Sequence, residues 1–149
     1  MKGPILFVAA ALVAASAFAT PDDLRSVSAM EKHNRVLLVF APGLNDARLT
    51  AQRREVDGAA LAMSERDVLL VQVAGDQVIG AHDAADKLRR RYKVGAGDYR
   101  TLLIGKDGNT AMSIVGPISA AHLSERVDVM PMRQDEIRLA REGKRVTDQ

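Results

Sequence analysis

The stretch YRTLLIGKDGNTAMSIV, residues 99–115, contains two short apolar runs separated by a turn-forming segment. The first six and the last six residues are the runs, and the Asp107-Gly108 pair between them favours the positive φ values of a hairpin turn. The pattern predicts a β-hairpin. Gly116-Pro117 then interrupts it, and Ser119 is typical of the N-cap of a helix, which we predict over residues 120–129.

Two further strands precede this hairpin, each followed by a helical pattern. Residues 35–41 and 67–73 are almost continuously apolar, as in strands that are buried on both faces. A helix capped by Asn45 or Asp46 follows the first strand and extends to Met63. After the second strand we predict a loop, and then a helix over residues 84–92 whose terminal cations form a solvated helix end.

The order β-α-β-α-β-β-α predicts a three-layer α/β fold with a central mixed sheet. The two alternating units place their strands parallel, the C-terminal hairpin is antiparallel, and a helix closes the fold. We assign residues 35–133 to this domain and residues 20–34 to a lead-in that holds a short helical piece. Residues 134–149 form a charged C-terminal tail, which we predict to be helical to about Glu142 and frayed beyond it.

Residues 1–19 have the pattern of a secretory signal peptide. Lys2 precedes an apolar run over residues 5–15, and the small residues that follow place the cleavage site near Ala19. The run is shorter than the roughly 20 residues that span a bilayer. We therefore expect a periplasmic or secreted protein without a permanent membrane anchor.

Composition excludes several classes of function. The chain has no cysteine, so it has neither a disulfide nor a thiol nucleophile of its own. The formal net charge of +2 gives no strong field for nucleic acid. We predict no cofactor and no metal, because the soft-ligand candidates lack a recognised spacing and are better explained as core methionines and surface histidines: Met112, Met130, Met132, His33, His82 and His122.

The segment YKVGAGDYRTLLIGKDGNTAMSIVGPISAAHL, residues 92–123, resembles the second half of a thioredoxin. The resemblance implies a thioredoxin-like fold. Two departures remove the thiol-exchange site, since residues 43–47 read GLNDA where thioredoxins have Cys-X-X-Cys, and Arg100 occupies the position of the cis-proline. Oxidoreductase activity is therefore not implied.

A closer resemblance covers nearly the whole mature chain. Five motifs occur in the order typical of the DUDES family, also described as domain of unknown function 4174: VLLVFAP at 36–42, QRR at 52–54, ERD at 65–67, LLIGKDG at 102–108 and MPMR at 130–133. The resemblance implies a thioredoxin-like fold, export, and a module rather than a known catalyst.

The implied topology gathers polar residues at two opposite ends of the sheet. At the end that we call the top, Asn45 and Asp46 meet Asp98, Tyr99 and Arg100. The first two are explained by helix capping, whereas all five together could line a ligand groove in which Arg100 suits an anionic ligand. A deep polar pocket there would favour an enzyme, and a self-capped surface would favour a binding module.

At the other end, the bottom, the hairpin turn with Lys106 and Asp107 meets Met130, Met132 and Arg133. One interpretation is structural: Asp107 accepts hydrogen bonds from Arg133, and a methionine fills the core. The other is a docking surface on which Lys106 and Arg133 meet an acidic partner or a polysaccharide.

The hypothesis favoured by these observations is a non-catalytic binding or adaptor module. Its partner would be an envelope or extracellular protein, or a polyanion. The alternative is a thiol-independent enzyme, or a peroxiredoxin-like relative that works with the thiol of a partner.

Overall fold

The computed structural model describes residues 25–147, with side chains described as far as residue 144, and places one five-stranded sheet between two layers of helices. The predicted signal peptide and residues 20–24 of the lead-in lie outside the described residues. The strands are β1 Arg35–Ala41, β2 Val68–Ala74, β3 Gln77–Ile79, β4 Arg100–Ile104 and β5 Thr110–Ile114. The helices are α1 Val27–Met30, α2 Ala47–Gly58, α3 Ala60–Glu65, α4 Ala85–Tyr92, α5 Ala120–Asp128 and α6 Pro131–Thr147.

The sheet order is β3-β2-β1-β4-β5, and β1 in the centre is buried over all seven residues. Because side chains alternate across a strand, β1 supplies both cores. Val36, Leu38 and Phe40 lie on the first face, which packs against α1 and α4. Leu37 and Val39 lie on the second face, which packs against α2, α3 and α5.

The predicted hairpin is confirmed, with β5 ending one residue early at Ile114 and a bulge between Leu103 and Ile104. The predicted capping residues are confirmed as well. The Asp46 carboxylate accepts a hydrogen bond from the Arg48 amide, and the Ser119 hydroxyl accepts one from the His122 amide. The sequence predicts these elements correctly because their signals depend only on neighbouring residues.

Three expectations need correction. First, only β1 and β2 are parallel, and β4 runs antiparallel to β1 because the chain enters β4 at the top, where β2 ends. Second, the predicted loop after β2 contains β3, which the left-handed Gly75 (φ 62°) allows to fold back on β2. Third, the long helix that we predicted is divided into two helices. The backbone of Ala59 (φ −123°, ψ 33°), directly after Gly58, is not helical.

Helix α6 begins at Pro131 and not at Gln134, so it crosses the boundary that we predicted after Arg133. Proline is favoured in the first turn of a helix because its missing N–H would lack an intrahelical partner there. The first turns of α6 therefore belong structurally to the bottom of the domain.

Candidate functional site

At the top of the sheet, the start of α2 is closed by its own side chains. Asp46 caps α2 by accepting from the Arg48 amide (2.9 Å), and its two carboxylate oxygens also accept from Nε (3.0 Å) and Nη2 (2.7 Å) of the Arg48 guanidinium. This hydrogen-bonded ion pair lowers the pKa of Asp46. The start of α2, where a thioredoxin carries its reactive cysteines, is thus occupied by an internal pair.

Tyr99 lies beneath that pair. Its ring is 3% exposed, the Arg48 guanidinium stands 4.6 Å from the ring centroid, and the hydroxyl donates to the Arg48 carbonyl (3.3 Å). Burial raises the pKa of Tyr99. Since the phenol is satisfied and covered, it fills the core beside α2 and does not line a groove.

The other predicted residues of the top do not join this pair. Asn45 and Asp98 are exposed, whereas Arg100 lies on the opposite face of the sheet from Tyr99, as alternation along β4 requires. Arg100 donates from Nη1 to the Ser113 hydroxyl on β5 (3.2 Å). The structure therefore brings Asp46 and Tyr99 together through Arg48 and separates Arg100 from both.

Sequence reasoning missed Arg89 at the same end. We predicted a solvated helix end, but Arg89 is 8% exposed and donates to three carbonyls: Gly95 (2.7 Å), Ala41 (2.9 Å) and Gly75 (3.3 Å). Desolvation lowers the pKa of this guanidinium. The side chain ties three top loops together, and its burial depends on tertiary packing that a charge run does not reveal.

The bottom of the sheet holds a network of charged side chains, which we call the bottom cluster: Arg35, Arg66, Asp67, Lys106, Asp128, Arg133 and Glu136. At its centre, Glu136 accepts from Arg35 Nη2 (3.1 Å) and Lys106 Nζ (2.7 Å). The Arg35 side chain is 1% exposed and the Lys106 side chain is 12% exposed. Glu136 thus fastens α6 to the start of β1 and to the hairpin turn.

Arg133 belongs to this cluster, but its predicted pairing with Asp107 is wrong. The guanidinium donates to the Glu65 carbonyl (2.9 Å), to Asp128 (3.3 Å) and to Glu136 (3.4 Å). Asp107 instead accepts from the amide and side chain of Asn109 within its own turn, and these hydrogen bonds lower its pKa. The carboxylate needs no distant cation because the turn already satisfies it.

The same pairings bear on the alternative in which Lys106 and Arg133 meet an acidic partner or a polysaccharide. Lys106 is neutralised by Asp67 (2.8 Å) and Glu136, and Arg133 by Asp128 and Glu136. An external anion would have to displace these carboxylates. The cations of the bottom cluster are therefore paired with carboxylates of the same cluster.

Beside the cluster lies a cavity of about 210 Å³, which contains most of the residues predicted for the bottom. Its walls are Ala111, Met130, Pro131 and Met132, with Lys106, Asp107 and the buried Arg35 as polar components. Met130 packs against the core of the second face, as predicted for one methionine, whereas Met132 is 47% exposed at the mouth. We call this space the bottom cavity.

We expect Arg133→Ala to lower the melting temperature by roughly 3–8 °C, equivalent to about 1–2 kcal/mol, because a largely covered guanidinium with three acceptors is lost. Differential scanning fluorimetry measures the shift. Arg133→Lys is the matched control and should keep part of the stability, since it retains the charge. An unchanged melting temperature for Arg133→Ala would mean that the cluster does not hold α6.

The described residues do not bring together a set of metal ligands. The described residues contain no group of three or more His, Asp or Glu side chains that could hold a metal ion. The histidines are exposed, as predicted.

No helix within residues 25–147 is both long enough and apolar enough to cross a membrane.

Fold and site together describe a thioredoxin-like domain without thiol chemistry of its own. Its similarity to the reduced 2-Cys peroxiredoxin of Plasmodium vivax supports this fold, with a TM-score of 0.59 at 15% identity over 73% of this chain and 84% of that one. Thioredoxin-like architecture, predicted above, is confirmed.

The family model for a domain of unknown function, DUF4174, matches residues 26–136, and the chain belongs to that family. The match confirms the resemblance drawn from the five motifs. None of the curated proteins compared with the chain matches it. The matched segment ends at Glu136, the residue that fastens α6 to the rest of the bottom cluster.

Proposed function

We propose that this domain is a non-catalytic binding or adaptor module that is exported to the bacterial envelope and binds a protein partner at the bottom. The observation that carries the proposal is the contrast between the start of α2 and the bottom cavity. The start of α2 is sealed by the Asp46–Arg48 pair, whereas the bottom cavity is apolar-walled and open beside Met132.

The size of the bottom cavity favours a particular kind of occupant. Its volume of about 210 Å³ is below the roughly 300–1,000 Å³ of sites that enclose a whole small molecule. An apolar side chain from a partner protein fits this space and these walls. Buried anchors of this kind, surrounded by polar groups, dominate the binding energy of many interfaces.

The surrounding charges suit such an interface. Arg35 lines the bottom cavity, and its Nε is buried without a hydrogen-bond partner among the described groups. Lys106 and Glu136 beside it are fixed by their mutual hydrogen bond and do not need to reorganise when a partner binds. Preorganisation lowers the entropic cost of association.

Capture from an envelope extract by the immobilised mature chain tests the proposal. We expect Met132→Asp to lose the captured partner, because a carboxylate at the mouth disfavours an apolar anchor. Aspartate is favourable in the first turn of a helix, so α6 should stay folded.

Leu61→Asp is the matched control, because Leu61 is an exposed apolar residue (74%) on α3, away from the bottom cavity. It should capture as much partner as the wild type. Equal capture by Met132→Asp and Leu61→Asp would reject the bottom cavity as the binding site. The absence of any saturable partner would count against the adaptor role itself.

A further inference from the structure

Strand β5 is an edge strand. It pairs with β4, and within residues 25–147 no strand pairs with its other edge. Beyond the bulge, Ser113 is exposed and Val115, just after the strand, is 70% exposed. An unpaired edge presents backbone N–H and C=O groups on which an extended peptide can form a further strand.

Two arginines flank this edge, one on each face of the sheet. Arg100 reaches from β4 across the first face to the Ser113 hydroxyl (3.2 Å). Arg126 reaches from α5, on the second face, to the Ala111 carbonyl (3.3 Å). Within the described chain neither forms an ion pair, and the Nε of Arg100 is buried without a hydrogen-bond partner.

This distribution differs from that of the bottom cluster, where every cation has a carboxylate partner. Unpaired guanidiniums on both sides of one strand favour an occupant with negative charge on both of its faces. In an extended strand, neighbouring acidic residues meet this requirement because successive side chains point to opposite faces.

A second cavity offers a place for an apolar residue of the same occupant. It has a volume of about 280 Å³ and lies between β5 and α5, with Met112, Ile114 and Ile118 among its walls and Arg126 beside them. Strand addition typically combines backbone hydrogen bonds with pockets for alternate side chains. Both components are present along β5.

We propose that β5 binds an acidic, extended segment of the partner protein by strand addition, with carboxylates on Arg100 and Arg126 and an apolar side chain between β5 and α5. This inference rests on the proposed binding function and names the chemistry of the partner. A second copy of the chain is a poor occupant, because two-fold pairing of β5 edges would bring the arginines of both copies together.

The test uses the acetylated and amidated peptide EEVVVVEE, with KKVVVVKK as its charge-reversed control. Fluorescence anisotropy with the mature chain should detect binding of the acidic peptide alone. The double variant Arg100→Gln, Arg126→Gln should weaken binding at least tenfold. Equal affinity for the two peptides, or for the double variant and the wild type, would overturn the proposal.

Two isomers of EEVVVVEE, each N-methylated at alternate residues along one edge, separate strand addition from charge attraction. If the peptide binds by strand addition, the isomer that is methylated on the edge facing β5 loses binding and the other isomer does not. Binding of the second isomer should shift the amide signals of residues 112–115 in the NMR spectrum. Equal binding by both isomers would show charge attraction alone, and dimerisation that is stronger in the double variant would show that a second copy occupies the edge. Either result contradicts the proposal.

Failure here is distinguishable from failure of the binding function. The Met132→Asp experiment reports on the bottom cavity and the peptide experiment reports on β5. If Met132→Asp loses the captured partner while the mature chain does not bind the peptide, the proposed binding function stands. Only the proposal of an acidic strand on β5 is then rejected.

Discussion

The Glu136→Gln variant is expected to lose about 2–4 kcal/mol of unfolding free energy. The substitution keeps the size of the side chain but leaves Arg35, whose side chain is 1% exposed, without its counter-charge. Removing one partner of a covered ion pair costs more than the pair contributes, because the other charge stays desolvated. Urea denaturation at pH 7 measures the loss.

The pH dependence of this loss identifies its cause. Burial acts to raise the pKa of Glu136, but hydrogen bonds from Lys106 and Arg35 outweigh it, so the pKa lies below its ordinary value of 4.5. A carboxylate with a lowered folded-state pKa contributes stability that is complete above the unfolded pKa and is lost as the pH falls through the folded pKa. The difference between wild type and Glu136→Gln should therefore be largest near neutral pH and shrink below about pH 4.5.

Glu125→Gln provides the matched control, because Glu125 is exposed on α5. Its effect should stay within about 0.5 kcal/mol. If Glu136→Gln destabilises no more than this control, then Glu136 does not fasten α6 to the domain.

The Gln52→Leu variant is expected to lose a similar amount, about 2–4 kcal/mol. Gln52 is fully buried on α2 and forms a pair of hydrogen bonds with the backbone of Ile118, accepting from its amide (2.8 Å) and donating to its carbonyl (3.0 Å). Leucine fills the space but leaves two buried backbone groups unsatisfied, each of which costs about 1–3 kcal/mol. Urea denaturation reports the loss, and hydrogen exchange at Ile118 should accelerate.

Arg54→Leu is the comparison for this variant, because Arg54 lies two residues further along the same helix and is exposed. It should change the unfolding free energy by less than about 0.5 kcal/mol. A Gln52→Leu protein as stable as the Arg54→Leu protein would show that the loop at Ile118 does not depend on this hydrogen-bonded pair.

Sequence alone predicts the elements whose signals are local. The apolar run of β1, the hairpin turn at Asp107-Gly108 and the caps Asp46 and Ser119 all depend on neighbouring residues. Strand β3 was missed because three residues are too few to show alternation. The alternating β-α-β pattern gives the wrong direction for β4, because the direction depends on where α4 returns the chain. The thioredoxin-like topology, in contrast, places the start of β4 at the top.

The candidate site was predicted as a set of residues but not as a set of interactions. Lys106, Asp107, Met130 and Met132 do line the bottom cavity. The partners of Arg133 were wrong because networks of long side chains are decided by tertiary placement. Glu136 was missed because it stands in what reads as a charged tail; a single arginine at the start of the buried strand β1, Arg35, was the available signal that a carboxylate must lie nearby.

The closed start of α2 and the open bottom cavity have one implication for the use of this fold. A thioredoxin-like sheet can lose its reactive groups and remain useful, because the fold still positions a second end with its own loops and helix junctions. In this chain the charged groups at that end hold the junction between α5 and α6, and Met132 beside it is exposed.

Site-specific photocrosslinking in living cells tests most directly whether the bottom is the binding end. A benzophenone side chain is introduced at Met132, at the mouth of the bottom cavity, or at Leu44, an exposed position (44%) in the top loop before α2. We expect a discrete protein adduct from position 132 and none from position 44. An adduct from position 44 alone would contradict the account and return the binding surface to the end where thioredoxins carry their reactive cysteines.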